Sequence, residues 1–338
     1  MRQAVMTAPG RIELRDVDAP RAGPGQVLLR IKRIGVCGSD VHVWHGRHPY
    51  TSYPVVQGHE FAGVIEAVGP GVRNLRPGQK ATAMPQLVCG QCPPCRRGQH
   101  HICDQLKVEG FQAPGCAQEL FVVPAERVVP LPEDFTFEQG AMVEPAAVAV
   151  HAVGRAGGVE SRRIAVVGAG PIGNLIAQVS RAGGGQVVIS DRSRCRLLFA
   201  EQCKLLEVCD ASCESLAKAG RKAFGAEGFD LAFEAVGSGE ALAEIVRSIQ
   251  KGGTIIVVGV YGEKPVVDMG LVQDRELTLR GSLMYQRADY QEAIRLIQQR
   301  LIVLEPLQTA HYPLEQMAAA YEHLDRDRDR TMKVFIDV

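Results

Sequence analysis

The sequence of 338 residues has no net charge, since Lys plus Arg and Asp plus Glu number 38 each. That balance leaves no field to draw the chain to nucleic acid or to an anionic membrane surface, and neither partner is expected. The first twenty residues carry scattered charges and lack an apolar block followed by a small-residue cleavage site, which argues against a secretory leader. Long hydrophobic runs are missing too. The least charged stretches are broken by Gly and Pro and read as buried parallel strands, not membrane spans. Ten cysteines without a leader point to a reducing compartment, the cytoplasm, where thiols act as metal ligands or buried apolar groups and seldom as disulfides. A single core rarely grows past about 250 residues, so two domains are expected.

What is present begins with residues 163–191. An apolar strand at 164–167 runs into Gly168, Gly170 and Gly173, spaced G-x-G-x-x-G, and Ile172, Leu175, Ile176 and Val179 then recur at helical spacing. A second apolar strand at 186–190 ends on Asp191, eighteen residues past the last glycine. This is the pattern of a dinucleotide turn. Gly168 permits the bend, Gly170 lets backbone approach a pyrophosphate, and Gly173 lets helix and strand pack closely, while Asp191 can accept from ribose hydroxyls. Further strand candidates at 206–209, 229–236, 254–259 and 276–281 alternate with helical stretches. That alternation predicts a doubly wound parallel sheet covered on both faces.

Residues 3–130 read instead as short strands rich in β-branched residues, punctuated by Gly-Pro turns. Three places interrupt them with metal-ligand residue types. Cys37 sits in GVCGSDVHVW, and His59 and Glu60 sit in VVQGHEFAG, each beside a glycine. Taken singly, Cys37 reads as a buried thiol and His59 as a core histidine; together with the acid they form a three-ligand set that leaves a position for water or substrate. Cys89, Cys92, Cys95 and Cys103 follow at C-x2-C-x2-C-x7-C, four thiolates for a closed tetrahedral site. A nucleic-acid zinc ribbon is the competing use of that spacing, and the charge balance speaks against it. Cys195, Cys203, Cys209 and Cys213 have no ligand-like spacing and read as inert thiols.

Residues 135–155 are helical in composition, and Glu144 lies there in an apolar setting where an acid needs a partner. His151 reads as a packing residue. Helices are expected at 288–299 and 314–324, the alternating charges of 325–330 as solvated surface, and a closing strand at 332–338 that returns to the first domain.

These motifs resemble the zinc-dependent medium-chain dehydrogenase/reductase family, which includes alcohol, sorbitol, L-threonine, butanediol and sugar-acid dehydrogenases. The likeness covers essentially the whole chain and rests on CGSDVH, GHEFAG, the four-cysteine loop, VEPAAVAVHAV, and GAGPIG with Asp191. It implies an α/β plus β fold: a discontinuous GroES-like β domain, residues 1–150 and 285–338, and a Rossmann domain of residues 151–284 with the doubly wound parallel sheet. It implies two zinc ions, one structural on the four cysteines and one catalytic among Cys37, His59, Glu60 and Glu144, with the choice between the two glutamates open. Asp40 would orient His59, and Ser39 and His42 match proton-relay positions. Pro171 and Ile172 join the glycines at the cofactor, Arg192 and Arg196 neighbour the adenosine ribose, and Val258, Gly259, Val260, Ser282, Leu283 and Met284 line the nicotinamide. Trp44, Arg47, Tyr285 and Arg287 would offer polar groups to a hydroxylated substrate.

The reaction implied is reversible hydride transfer from a secondary alcohol, a polyol, cyclitol or sugar acid, to NAD. L-Threonine or 2,3-butanediol oxidation is the alternative within the family, and a non-catalytic nucleotide-binding sensor the alternative outside it. Sorbitol dehydrogenases carry Arg-Tyr where this chain has Met284 and Tyr285, a departure that weakens a sorbitol assignment. The resemblance also implies a homodimer or homotetramer.

Overall fold

The computed structural model describes residues 1–338. It divides into two compact units, residues 1–144 with 308–338, and residues 145–307. The first unit opens with a hairpin of β1 (Arg2–Ala8) and β2 (Arg11–Asp16). Its main strands follow: β3 (Gln26–Gly35), then α1 (Gly38–Trp44), β4 (Glu60–Val68) and β5 (Lys80–Ala83). A small two-stranded ribbon, β6 (Gln86–Leu87) with β7 (Lys107–Val108), encloses the cysteine loop and its one-turn helix α2 (Pro93–Arg96). Then come β8 (Leu120–Pro124), β9 (Val128–Pro130), α3 (Phe137–Ala141) and α4 (Val143–Arg155). Pro145 is tolerated in α4 because it lies in the first turn, where backbone N–H groups have no intrahelical acceptor.

The second unit is built on six strands, β10 (Arg163–Val167), β11 (Gln186–Asp191), β12 (Glu207–Asp210), β13 (Leu231–Glu234), β14 (Thr254–Val257) and β15 (Thr278–Gly281). Helices α5 (Pro171–Ala182), α6 (Arg194–Gln202), α7 (Leu216–Phe224), α8 (Gly239–Ser248), α9 (Met269–Asp274) and α10 (Arg287–Gln298) connect or follow them. The strand order is β12-β11-β10-β13-β14-β15, every pairing parallel. This is the doubly wound arrangement, whose order reverses beside β10. The apolar run at 229–236 narrows to four strand residues, and the last strand starts two residues later than its apolar pattern, because Glu276 has φ +49° and belongs to a turn.

From residue 308 the chain is again in the first unit, with β16 (Gln308–Pro313), α11 (Met317–Arg326) and β17 (Lys333–Asp337). β17 pairs antiparallel with β3, Phe335 opposite Gly35, so that the first unit's sheet runs β16-β17-β3-β4-β5-β9, with β8 also on β3. Alternate residues of β3, among them Val27, Leu29 and Ile31, are buried with Phe61, Ile65, Val334, Ile336 and Tyr321 in one core. Residues 285–307 lie in the second unit. The charge run at 325–330 is largely exposed, and no helix is long and apolar enough to cross a membrane.

Candidate metal centres and dinucleotide site

The register of β3 against β4 sets Gly35 opposite Glu60, and the first centre grows from that pairing. Cys37, two residues beyond β3, is the N-cap of α1, and Glu60 opens β4 with His59 immediately before it. Their donor atoms, one thiol, one imidazole nitrogen and one carboxylate oxygen, all lie within 4.8 Å of one another. Gly35 is needed here, because a Cβ on it would stand 2.3 Å from Glu60 Oε2. A mixed sulfur, nitrogen and oxygen set suits zinc, and three protein donors leave a fourth position open.

Asp40, 1% exposed, holds this group together. Its Oδ2 accepts from the Cys37 amide at 2.9 Å, and its Oδ1 faces His59 Nδ1 at 3.5 Å, an ion-pair distance longer than a hydrogen bond. Burial alone would lower the His59 imidazole, but the Asp40 carboxylate beside it, then Cys37, outweigh that and raise its pKa well above the usual histidine value. The centre is therefore poised to hold a cation, a proton or a metal ion.

Lys333 of β17 is a residue the sequence reading missed. Its ammonium, 3% exposed, donates to both oxygens of Glu60, at 2.6 and 2.9 Å, and to the Val36 carbonyl at 3.1 Å. Burial acts to lower its pKa, yet Glu60, Cys37 and Glu144 together raise it. Glu144 is buried at the start of α4 but stands outside the three-donor group. Its signal in the sequence is a lysine inside the apolar run MKVFIDV, whose pattern alone says only strand.

Ser39 and His42, three residues apart on α1, share one face of the helix. Burial, then the charges of Arg328, His45 and Arg47, lower the His42 pKa, which favours a neutral imidazole. Two substrate-facing expectations need correction. Trp44 is buried and stacks on Tyr321, ring centroids 5.2 Å apart, and Tyr285 is fully buried against Tyr290. Both are apolar enough to be drawn into core packing, and Arg47 and Arg287 remain exposed.

The second centre is the loop of Cys89, Cys92, Cys95 and Cys103, whose sulfurs also lie within 4.8 Å of one another. The Cys92 to Cys103 and Cys103 to Cys89 sulfur separations are 3.8 and 3.6 Å. Sulfurs about 2.3 Å from a tetrahedral zinc are about 3.8 Å apart, so the cage fits the ion and is far too open for a disulfide. Backbone amides of Cys92, Cys89 and Gln105 point at the sulfurs. Burial pushes the Cys92 thiol up, but hydrogen bonds from Asp104 and Cys95 amides and from neighbouring thiols bring it down to about 6; burial, then Cys92 and Cys103, push Cys95 up to about 12. Four such thiols cannot all ionise without a cation among them. Cys195, Cys203, Cys209 and Cys213 form no comparable group.

In the second unit, Gly168 leaves β10 at φ +103°, where a side chain would be strained and would meet Val236 and Ala235. A Cβ on Gly173 would stand 1.8 Å from the Gly168 carbonyl oxygen. Gly170 is the N-cap of α5 and Pro171 opens the helix, with Ile172 behind it, so unpaired helix amides face the turn. Asp191, at the end of β11, accepts from the Ala169 amide at 2.7 Å and the Ser193 amide at 2.8 Å. Arg196 lies 3.8 Å from the same carboxylate, whereas Arg192 is turned to Glu240 at 2.7 Å. The amides of Val258 and Gly259 donate to the Glu234 carbonyl, Val260 is exposed, and Ser282, Leu283 and Met284 follow β15. Glu234, fully buried, was also missed: its carboxylate accepts from the Val236 and Gly237 amides and the Tyr261 hydroxyl, and so fixes the loops after β13 and β14.

Two family models match the chain, the alcohol dehydrogenase GroES-like domain over residues 23–133 and the zinc-binding dehydrogenase over residues 171–299. The chain is 32% identical over 323 residues to the L-galactonate-5-dehydrogenase of Escherichia coli (strain K12), covering 95% of this chain and 94% of that one. It is 33% identical over 316 residues to the L-threonine 3-dehydrogenase of Rhizobium etli (strain CIAT 652), covering 91% and 90%. Among solved structures, an alcohol dehydrogenase from E. coli CFT073 complexed with NADH superposes with a TM-score of 0.92 at 28% identity, over 100% of this chain and 99% of that one.

Proposed function

This chain belongs to the zinc-dependent medium-chain dehydrogenase family, and on that premise we propose that it oxidises a secondary alcohol of a sugar acid or polyol reversibly to the ketone, with NAD as hydride acceptor. The observation that carries this is the donor set of Cys37, His59 and Glu60 at the head of a helix bearing Ser39 and His42. Zinc bound there supplies Lewis acidity that lowers the pKa of a hydroxyl, as it lowers that of water from about 16 to about 7. Cys37, His59 and Glu60 are the candidate ligands. Asp40 holds the His59 ring so that the nitrogen opposite Nδ1 is free to bind. Ser39 accepts the substrate's hydroxyl proton and His42, neutral near pH 7, passes it to solvent. The four cysteines fill every position of their own site, which makes its role structural.

Bound NAD supplies the hydride acceptor. The turn of Gly168, Gly170 and Gly173 with the α5 N-terminus takes its pyrophosphate, and the segments 258–260 and 282–284 take the nicotinamide. Asp191 selects NAD over NADP. At about 4 Å and an effective dielectric near 20, a phosphate charge beside the carboxylate costs on the order of 4 kcal/mol before screening. Arg192, already paired with Glu240, and Arg196, already beside Asp191, recover little of it.

The E. coli relative favours a sugar acid, and the Rhizobium relative makes L-threonine the second reading. A panel of sugar acids, polyols, butanediol and threonine, with NADH formation followed by absorbance, tests both. Highest kcat/KM on a sugar acid or polyol is expected, and turnover of threonine alone would select the second. The assembly that fits is a homodimer or homotetramer: β15 ends the six-stranded sheet as an open edge, and Val266 and Met269 nearby in sequence are 87% and 64% exposed.

A further inference from the structure

Tyr321 lies on α11, 264 residues beyond Gln57 in sequence, yet it is fully buried in the core of the first unit. Its hydroxyl donates to Gln57 Oε1 at 2.8 Å. Gln57, 1% exposed, donates in turn through Nε2 to Asp40 Oδ1 at 3.3 Å and to the Asp40 carbonyl at 3.4 Å. Asp40 faces His59 Nδ1 and accepts from the Cys37 amide. A continuous buried chain therefore runs from the tail helix to two of the candidate metal ligands.

The polarity of that chain depends on one proton. A glutamine amide offers an oxygen at one end and an NH2 at the other, and only its partners decide which end faces which neighbour. The Tyr321 hydroxyl, as donor, claims the oxygen and so directs the NH2 group at the Asp40 carboxylate. Reversed, the amide would set its oxygen against an anion and leave the NH2 facing a hydroxyl. The tyrosine ring is itself fixed, lying at 13° to Trp44 at the end of α1, the helix that carries Asp40 in its first turn. One side chain thus steadies both ends of α1.

We propose that Gln57 and Tyr321 are positioning residues for the first metal centre, holding Asp40 in the orientation that keeps His59 ready to bind zinc. The proposal rests on the reading of that centre as the catalytic zinc site. Outer partners of a metal-bound histidine typically change metal affinity 10 to 100-fold, and effects along one hydrogen-bonded chain do not add.

The test uses the full-length protein and its Tyr321→Phe, Gln57→Leu and doubly substituted variants. Zinc affinity is read by competition with a chelator, and the geometry by the visible spectrum of protein loaded with cobalt(II). Each single variant is expected to bind zinc at the first centre about tenfold more weakly, with an altered cobalt spectrum and an unchanged four-cysteine site. The double variant should be no weaker than the worse single one. Wild-type affinity and spectrum in all three variants, with only thermal stability reduced, would overturn the proposal and leave the zinc reading standing. A wild-type protein that binds metal at the four cysteines alone would overturn both.

Discussion

The two metal centres of this chain are built in opposite ways. The four cysteines fall within 15 consecutive residues, on one loop whose own amides turn toward the sulfurs. The centre of Cys37, His59 and Glu60 draws on β3, β4, α1 and the tail, with Lys333 arriving from 273 residues beyond Glu60. The four-cysteine centre has every tetrahedral position supplied by its own loop, which suits a role in holding that loop's fold. The centre of Cys37, His59 and Glu60 has three protein donors, which leaves a fourth position open, and its supporting residues come from distant segments. A local site is stable by its own donors, whereas an open one depends on the whole unit around it.

Substitutions should separate the two. The largest effect is expected from Cys37→Ser or His59→Ala, which remove a ligand of the open centre: activity should fall by about three orders of magnitude or more, with circular dichroism unchanged. Cys95→Ser should act first on stability, lowering the unfolding midpoint by roughly 10 °C in scanning calorimetry, because a closed zinc site contributes folding energy. If both substitutions lowered activity and stability alike, the distinction would fail. Lys333→Met leaves Glu60 buried without its cation and should cost about 3–5 kcal/mol in denaturant unfolding, and adding Glu60→Gln should recover part of that loss.

Asp191→Ser sharpens a different boundary, that between the metal unit and the cofactor unit. It should shift the NAD to NADP ratio of kcat/KM by about tenfold toward NADP while leaving zinc content unchanged. The smallest effect concerns pH. The His42 pKa is lowered by burial first and then by Arg328, His45 and Arg47, so a proton relay through it would stay neutral down to below the usual histidine value, and alcohol oxidation is expected to fall only on the acid side of it. Arg328→Ala removes one of the charges responsible. The acid limb of the kcat/KM profile should then move to higher pH; movement to lower pH would contradict the assignment.

Much of this was legible in the residues. The six strands of the parallel sheet show as apolar runs because both faces of such a sheet are covered, and all six form within two residues of where the pattern sets their starts. The cysteine spacing gives the closed centre because its ligands are neighbours in sequence. Cys37, His59 and Glu60 were recognisable as ligand types, and antiparallel pairing of β3 with β4 brings them together. Their supports were not recognisable. Lys333 and Tyr321 lie in segments whose periodicity says only strand and helix, and Gln57 has no motif of its own. Long-range partners of this kind are set by packing, which single-sequence patterns do not carry. Trp44 and Tyr285 misled for the related reason that an aromatic with a polar tip fits a core and a binding pocket equally well.

The measurement that bears most directly on two centres with separate roles is the zinc content of purified, fully loaded protein, taken for wild type, Cys37→Ser and Cys95→Ser. Two zinc ions per chain are predicted in wild type and one in each variant, with the Cys37→Ser protein inactive but folded. One zinc per wild-type chain, or an unchanged zinc content in either variant, would contradict it.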